Sequence, residues 1–235
     1  MTDTTIPPIP EPIPTGEQHE IRTHFEEQMD EIRVRLVDMA TMVLANTRFA
    51  GDVVLENRFD EVEAVTAADE PINAEYEILE GKVFQILALQ QPVASDLRFL
   101  VVATRVLYEI ERSGDLAVNI VKQMHRVDGI PNDPVIHSIV ARLFDAATTM
   151  FARGIEALAT MDPDIGLAAE REDEATDDLT AELFTAVTAR QDDMGLDASV
   201  ALFYIGRFLE RIADHGVNLA QNVTFAVTAS FPQDT

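Results

Sequence analysis

The chain contains no cysteine in its 235 residues. That absence excludes disulfides, thiol catalysis and thiolate metal sites. Basic residues are also scarce, because 17 Lys and Arg stand against 42 Asp and Glu and give a formal net charge of −25. A surface this acidic repels phosphate backbones and anionic lipid, so we expect no direct binding to nucleic acid. It favours cations and basic protein partners instead.

A hydrophobic run long enough to span a bilayer is missing as well. The longest apolar stretch, around Phe99–Tyr108, is interrupted by Thr104 and Arg105. It falls short of the roughly 20 residues that a membrane helix needs. The N-terminal MTDTTIPPIPEP lacks the basic and apolar regions of a secretion signal. We therefore expect a cytoplasmic protein that meets the membrane only indirectly, through its partners.

The N-terminal segment differs in composition from the rest of the chain. Proline fixes φ and removes amide donors, so residues 1–17 are predicted to be a disordered, proline-rich leader. A proline-rich ligand for an aromatic groove is the alternative interpretation of this segment. The five prolines are Pro7, Pro8, Pro10, Pro12 and Pro14.

Beyond the leader the pattern is helical almost throughout. Glycine is scarce inside the periodic segments, and apolar residues recur at steps of three and four. The Gly129–Pro131 stretch separates two halves, residues 18–128 and 132–230. The predicted helices are about Glu17–Glu56, Phe59–Gln91 and Pro92–Arg126, then one from Asp133-Pro134, one from Asp162-Pro163 and one over Leu196–Thr228.

An acidic motif occurs once in each half. Glu111-Arg-Ser-Gly-Asp115 with Asn119 returns as Glu210-Arg-Ile-Ala-Asp214 with Asn218, and each matching residue lies 99 positions further along. A period near half the chain length indicates a duplicated domain, whereas solenoids repeat every 20–50 residues. The sequence therefore predicts an all-α protein of six long helices, arranged as two tandem three-helix bundles.

Residues four apart on a helix lie on the same face, so each motif presents two carboxylates together. Both pairs, Glu111 with Asp115 and Glu210 with Asp214, are predicted at the edge of the apolar stripe of their helix. The opposite side of the first of these helices carries Arg105, Glu109 and Arg112.

Paired carboxylates repel each other, and partial burial adds a desolvation cost. Arginine is one way to offset this, through pairing of Arg105 or Arg112 with Glu109. Metal is the other. Each half offers a second polar pair on an upstream helix, Asp69 with Asn73 and Asp173 with Asp177. Such hard oxygen ligands suit Mg²⁺, Ca²⁺, Mn²⁺ or iron. An ordinary salt-bridged helix surface is the alternative.

Catalysis has weaker support in the sequence. Di-iron enzymes of the ferritin type use Glu-xx-His on paired helices, and none of the five histidines has Glu three residues before it. His215 is predicted to face away from the acidic edge, as a surface or partner-contact residue. The sequence also shows no glycine-rich phosphate loop and no serine nucleophile arrangement.

Two motifs in this order resemble the PhoU family of phosphate-signalling regulators. The first is Gln90-Gln91-Pro92-Val93-Ala94-Ser95-Asp96-Leu97-Arg98 followed by Glu111-Arg-Ser-Gly-Asp115. The second is Leu209-Glu210-Arg211-Ile212-Ala213-Asp214-His215 with Asn218. The resemblance covers about residues 18–228. It implies two similar three-helix bundles and a cytoplasmic adaptor without enzymatic activity.

The resemblance also implies partners and ligands. PhoU proteins restrain a phosphate ABC transporter, through its ATPase, when phosphate is plentiful. They also keep the associated sensor histidine kinase from activating its response regulator. Some members hold metal clusters in paired acidic motifs. The matching positions here are Asp173, Asp177, Glu210 and Asp214 in the second half, and Asp69, Glu111 and Asp115 in the first.

Two residues depart from the family pattern in the first half. Asn73 replaces an acid, and Pro71 lies between Asp69 and Asn73, where it is expected to kink or restart the helix. The second half is therefore predicted to be the better metal site.

Three functional hypotheses follow. The leading one is an adaptor, expected to be a homodimer, that favours one state of a transporter–kinase assembly and docks through the Gln90–Arg98 connection. The same connection is also explained as an ordinary helix start. A carboxylate-helix metal-storage protein or metal-dependent enzyme is the second hypothesis, and a purely structural dimerisation module is the third.

Overall fold

The computed structural model describes residues 15–172 and 174–231, with side chains described for 22–169 and 174–231. Helices and short connections account for these residues, and no β-strand occurs among them. The protein is all-α and consists of two tandem three-helix bundles, as the repeated motif predicts.

The helix bounds agree closely with those expected from sequence periodicity. A 3-10 turn, Phe59–Glu61, precedes α2, and residues 1–14 of the predicted leader lie outside the described part of the chain. In chain order the helices are α1 (Thr15–Leu55), α2 (Val62–Gln90), α3 (Ala94–His125), α4 (Pro134–Thr160), α5 (Pro163–Glu172), α6 (Glu174–Thr188), α7 (Gln191–Met194) and α8 (Leu196–Thr228).

Four details differ from the sequence predictions. Residues 15–17, assigned to the leader, belong to α1. The third helix begins at Ala94 and not at Pro92, because Gln91 adopts the left-handed conformation (φ 48°) that ends α2. Helix α2 does not restart at Pro71 but continues through it. The fifth predicted helix is described as α5 and α6, with Asp173 between them outside the described residues.

The two Asp-Pro signals act as helix starts, as predicted. The Asp133 carboxylate accepts hydrogen bonds from the backbone amides of Val135 and Ile136, at 2.8 and 3.2 Å. Asp162 accepts one from the amide of Asp164 at 2.9 Å. Each carboxylate therefore satisfies amides that the first turn of a helix leaves without a partner.

Helices α3 and α8, which carry the two acidic motifs, pack against each other across the two halves. They run antiparallel, since Arg98 near the start of α3 hydrogen-bonds Ala226 near the end of α8, while Ser113 meets His215 midway. The 99-residue repeat relates α3 to α8. A rotation that exchanges two adjacent antiparallel helices must be a twofold rotation, and its axis must be perpendicular to the plane that contains both helices. Matching residues of α3 and α8 therefore face the same side of the molecule.

The second contact between the halves involves α4. It packs on α1 of the first half and, more extensively, on α8 of its own half. A Cβ atom added at Gly216 would lie 2.6 Å from the carbonyl oxygen of Met150, and one at Gly154 would lie 2.5 Å from the carbonyl oxygen of Gly216. These two glycines let the backbones of α4 and α8 approach closely.

Helix α4 is also the one described helix that is long and apolar enough, by length and composition, to cross a membrane. Its apolar face is buried inside the protein, where Leu143 and Phe151 are fully covered. The core helix of a soluble bundle has the same composition, so this feature is weak evidence for a membrane span.

Candidate functional site

The first-half acidic cluster joins α2 to α3. Asp69 on α2 is only 6% exposed. Its Oδ2 atom accepts a hydrogen bond from the Asn73 side-chain amide at 3.0 Å, whereas its buried Oδ1 atom has no hydrogen-bond partner among the described residues. Asp69 faces Glu111 and Asp115 of α3 closely enough for the charges to influence one another. The three carboxyls are thus electrostatic neighbours, and their role as metal ligands stays a prediction.

A glycine on α3 makes room for the buried carboxylate. A Cβ atom added at Gly114 would lie 2.5 Å from Asp69 Oδ1, closer than any ordinary contact. The matching residue in the second half is Ala213. The two halves therefore differ at the position beside the buried acid.

Burial and mutual repulsion set the electrostatics of this cluster. The pKa of Asp69 is raised, first by burial and then by the charge of Asp115, against the lowering effect of the Asn73 hydrogen bond. Burial and the charge of Asp115 likewise raise the pKa of Glu111. Arg112 offsets part of the charge, with guanidinium nitrogens 3.9 Å from Glu111 and 3.7 Å from Asp115. An added cation would be stabilised here.

The second-half cluster joins α6 to α8. Burial raises the pKa of Asp214, and the charges of Glu210 and Asp177 raise it further. Arg207 forms a salt bridge with Glu210. Asp173, the fourth predicted ligand, lies outside the described residues. Three of the four predicted carboxyls of this half are therefore neighbours.

Within the described part of the chain, no three Asp, Glu or His side chains are grouped closely enough to hold a metal ion as they stand. The donor set nevertheless fits a hard cation, because its carboxylates raise one another's pKa and Asp69 Oδ1 has no partner among the described residues. The metal sites stay a prediction, as does the ranking of the second half above the first.

A third polar cluster lies between the halves and was not predicted. Ser113 Oγ lies 2.8 Å from His215 Nδ1, His215 Nε2 lies 3.5 Å from Glu109 Oε2, and the Asn218 amide donates to Glu109 Oε1 at 3.3 Å. Burial lowers the pKa of His215 to about 4, with a further contribution from Arg211 and Arg112, and burial raises the pKa of Glu109.

These positions correct three sequence expectations. His215 is buried and not a surface residue. Glu109 faces α8 and not solvent. Arg105 does not pair with Glu109 but lies over the rings of Phe225 and Phe231, at 6.0 and 5.8 Å from their centroids. The common reason is that α3 and α8 are each covered on more than one side, whereas periodicity within one helix was interpreted as a single buried face.

The Gln90–Arg98 connection forms an exposed corner. Gln91 and Ala94 both have positive φ, 48° and 49°, and they flank Val93, whose side chain is exposed. Asp96 accepts a hydrogen bond from Arg22 of α1 at 3.0 Å, and Gln90 donates one to Gln28 at 2.8 Å. These two contacts tie both sides of the connection to α1.

Comparison with known proteins connects this geometry to a family. A family model described as the PhoU domain matches residues 36–124 and again 140–223. The chain is 32% identical over 215 residues to "Phosphate-specific transport system accessory protein PhoU homolog 2" of Mycobacterium tuberculosis, a match that covers 90% of this chain and 100% of the relative. It is 27% identical over 208 residues to the PhoU homologue of Synechocystis, covering 88% of this chain and 92% of the relative.

Solved structures show the same fold. The crystal structure of PhoU from Pseudomonas aeruginosa superposes with a TM-score of 0.81 at 23% identity, covering 88% of this chain and 100% of that one. The phosphate transport system regulatory protein PhoU from Streptococcus pneumoniae gives 0.80 at 20% identity, covering 88% and 98%. With both repeats matched by the family model and the Mycobacterium tuberculosis relative matched along its whole length, this chain belongs to the PhoU family.

Proposed function

We propose that this protein is a non-enzymatic cytoplasmic adaptor that negatively regulates phosphate uptake and phosphate-starvation signalling. It would act by binding the ATPase of the phosphate ABC transporter and the sensor histidine kinase. The observation that carries this proposal is the match of both halves, over nine-tenths of the chain, to accessory proteins of phosphate-specific transport systems. An adaptor works by binding one state of its partner more tightly than another.

A structural observation supports the proposal that the protein is not an enzyme. Ser113 and His215 have the 2.8 Å separation of a nucleophile and its base. The Ser113 side chain, however, has 0% exposure and donates its hydroxyl proton to the carbonyl of Glu109. A substrate cannot reach this hydroxyl, so the pair stabilises the contact between the halves.

Deletion of the gene tests the adaptor proposal. Without the adaptor, phosphate-starvation genes should be expressed in high phosphate, because the transporter and kinase are no longer restrained. Transcript levels in phosphate-replete and phosphate-starved cells measure this. Unchanged repression in high phosphate would contradict the proposal.

We further propose that the two acidic clusters hold divalent or iron ions. The supporting observation is the buried Asp69 Oδ1 atom without a partner among the described residues, beside two more carboxyls of α3. When bound, the cation would neutralise carboxylates on neighbouring helices and so join those helices. The ligands would be Asp69, Glu111 and Asp115 in the first half, and Asp173, Asp177, Glu210 and Asp214 in the second.

The second-half site should bind metal more strongly. In the first half, the Asn73 amide already occupies one oxygen of Asp69 and contributes no charge of its own. We therefore expect Glu210→Ala with Asp214→Ala to lower the metal content of protein purified without chelator more than Glu111→Ala with Asp115→Ala. Elemental analysis measures the stoichiometry. Equal losses in the two double variants would show that the halves bind alike.

Removing metal should also destabilise the wild-type protein, because ligand binding to the folded state alone adds stability. We expect the melting temperature to fall on chelation and to recover when Mn²⁺ or Mg²⁺ is restored. A melting temperature that chelation leaves unchanged would argue against the metal proposal. Turnover of a substrate by metal-loaded protein would instead favour the alternative, a metal-dependent enzyme.

A further inference from the structure

Helices α3 and α8 each carry exposed apolar side chains at matching positions. Leu97 and Val101 on α3 are 42% and 37% exposed, and their counterparts in the second repeat, Leu196 and Val200 on α8, are 72% and 40% exposed. We call these pairs the α3 ladder and the α8 ladder. A single exposed Leu or Val needs no explanation. Two pairs that recur at the same positions of a duplicated unit are harder to attribute to chance.

The ladders share a face with the acidic motifs. Steps of four, three, four, three and four residues lead from Leu97 to Asp115 and, in the same way, from Leu196 to Asp214, and such steps keep to one side of a helix. The side of α3 from Leu97 to Asp115, and the side of α8 from Leu196 to Asp214, is thus apolar at the beginning of the helix and acidic further along. The buried side is matched too, since Val106 of α3 and its counterpart Ile205 of α8 are fully covered.

The twofold relation of α3 and α8 places both ladders on the same side of the molecule. The helices cross near Ser113 and His215. Leu97 lies about four helical turns before Ser113, and Leu196 lies about five turns before His215. Because the two helices extend in opposite directions from the crossing, these lengths add, and the ladders are about 50 Å apart.

We propose that this face docks one partner of twofold symmetry, each of whose two subunits brings an apolar surface flanked by basic side chains to one ladder. The apolar ladders supply contact area at the two ends of the face. The net charge of −25 on the chain favours basic neighbours around them. The inference rests on the proposed function, from which we take the partner to be the pair of ATPase subunits of the phosphate transporter.

Two equal sites on one partner predict a bivalent interaction, in which each ladder raises the effective concentration of the other. One adaptor chain should therefore bind one ATPase pair. Loss of either ladder should cost a similar factor, and loss of both should cost far more.

The test uses the purified full-length chain and the phosphate transporter, with its two ATPase subunits, in lipid nanodiscs. The α3-ladder variant is Leu97→Asp with Val101→Asp, and the α8-ladder variant is Leu196→Asp with Val200→Asp. A control with the same charge change, Val34→Asp with Val135→Asp, alters exposed side chains on α1 and α4. Circular dichroism melts of every variant should stay close to wild type, because substitutions of exposed side chains usually change stability little.

We expect each ladder variant to bind about tenfold or more weakly, the combined variant to show no measurable binding, and the control to bind within about twofold of wild type. The mass of the complex should correspond to one chain per transporter. Binding that either ladder variant retains in full, or two chains per transporter, would overturn the inference while leaving the adaptor function intact.

Other occupants of the face give distinct results, and each would overturn the inference. If the wild-type chain forms a dimer that the ladder substitutions dissociate, the face belongs to a second copy. If the ladders mediate binding to the sensor kinase and not to the transporter, the assignment to the ATPase pair is wrong. If the wild-type protein binds neither the transporter nor the sensor kinase, and gene deletion leaves the phosphate-starvation genes repressed in high phosphate, the proposed function is wrong as well.

Discussion

The side chain of Asp69 combines deep burial with a carboxylate oxygen that has no hydrogen-bond partner among the described residues. Its pKa is raised, mainly by burial, so the charged form is disfavoured in the folded protein. A carboxyl whose pKa is raised in the folded protein makes its full contribution to stability only below its ordinary pKa, where it is protonated in both the folded and the unfolded state. That contribution is lost as the pH rises through the raised value.

In metal-free protein at pH 7 we therefore expect Asp69→Asn to stabilise the fold by about 1 kcal/mol, which raises the melting temperature by about 2–4 °C in a protein of this size. The gain should disappear below about pH 3.8, the ordinary pKa of Asp, where both proteins carry a neutral group. Thermal melts at several pH values measure it, with exposed Asp38→Asn as the control. A loss of stability at pH 7 would mean that the charge is compensated in the fold.

His215 has the opposite sign of pH dependence. Its folded pKa of about 4 lies below the ordinary value of 6.5, so its contribution to stability is present above pH 6.5 and is lost as the pH falls toward 4. We expect about 3 kcal/mol of stability to be lost across this interval. His215→Gln should remove that dependence, and exposed His24→Gln should retain it. Urea unfolding at pH 7, 5.5 and 4.5 measures the free energy of unfolding. A value that falls as much in His215→Gln as in the wild-type protein would contradict the prediction.

At the scale of elements, the contact between α4 and α8 depends on the missing side chains of Gly154 and Gly216. Gly216→Ala would bring a methyl group within 2.6–2.7 Å of backbone atoms of Met150 and Phe151, which cannot move without displacing the helix. We expect a destabilisation of about 3 kcal/mol. Gly81→Ala on α2, where an added Cβ meets nothing within 4 Å, should stabilise by about 0.5–1 kcal/mol. Equal effects in chemical denaturation would contradict the close approach of the two helices.

The elements themselves were largely predictable from the sequence. The bounds Leu196–Thr228 follow from the Gly195 break and the apolar spacing, and the Asp133-Pro134 and Asp162-Pro163 signals both start helices. These features are local, so one segment of sequence contains all the information they need. The separation of Glu111 from Asp115 by four residues likewise placed both carboxyls on one helix edge.

What the sequence did not predict depends on contacts between distant segments. The Ser113–His215 bond joins residues 102 positions apart, and periodicity within α8 assigned His215 to the surface. A signal was available, because the small residues Ala213, Gly216 and Ala220 surround His215 and indicate the approach of another helix. Gly114 gave no such indication, since its role depends on where Asp69 of α2 lies.

At the scale of the whole molecule, the two bundles share a core. The α3–α8 and α1–α4 contacts both cross between the halves and bury residues such as Ala117 and Leu143. We therefore expect the protein to unfold in one cooperative transition. Calorimetry should give a van't Hoff enthalpy equal to the calorimetric one. Two resolved transitions, or a stable monomeric fragment 18–128, would show that each bundle is an independent domain.

By the 99-residue repeat, Ser113 corresponds to Ile212 and His215 corresponds to Leu116, both of which are buried and apolar. One half of the interface is thus polar, and the other half is apolar. A chimera built from two first repeats would place a serine hydroxyl opposite leucine at both positions, and one built from two second repeats would place an imidazole opposite isoleucine. The two copies have therefore diverged into complementary partners, and we expect a pair of identical repeats to pack less well than the natural pair.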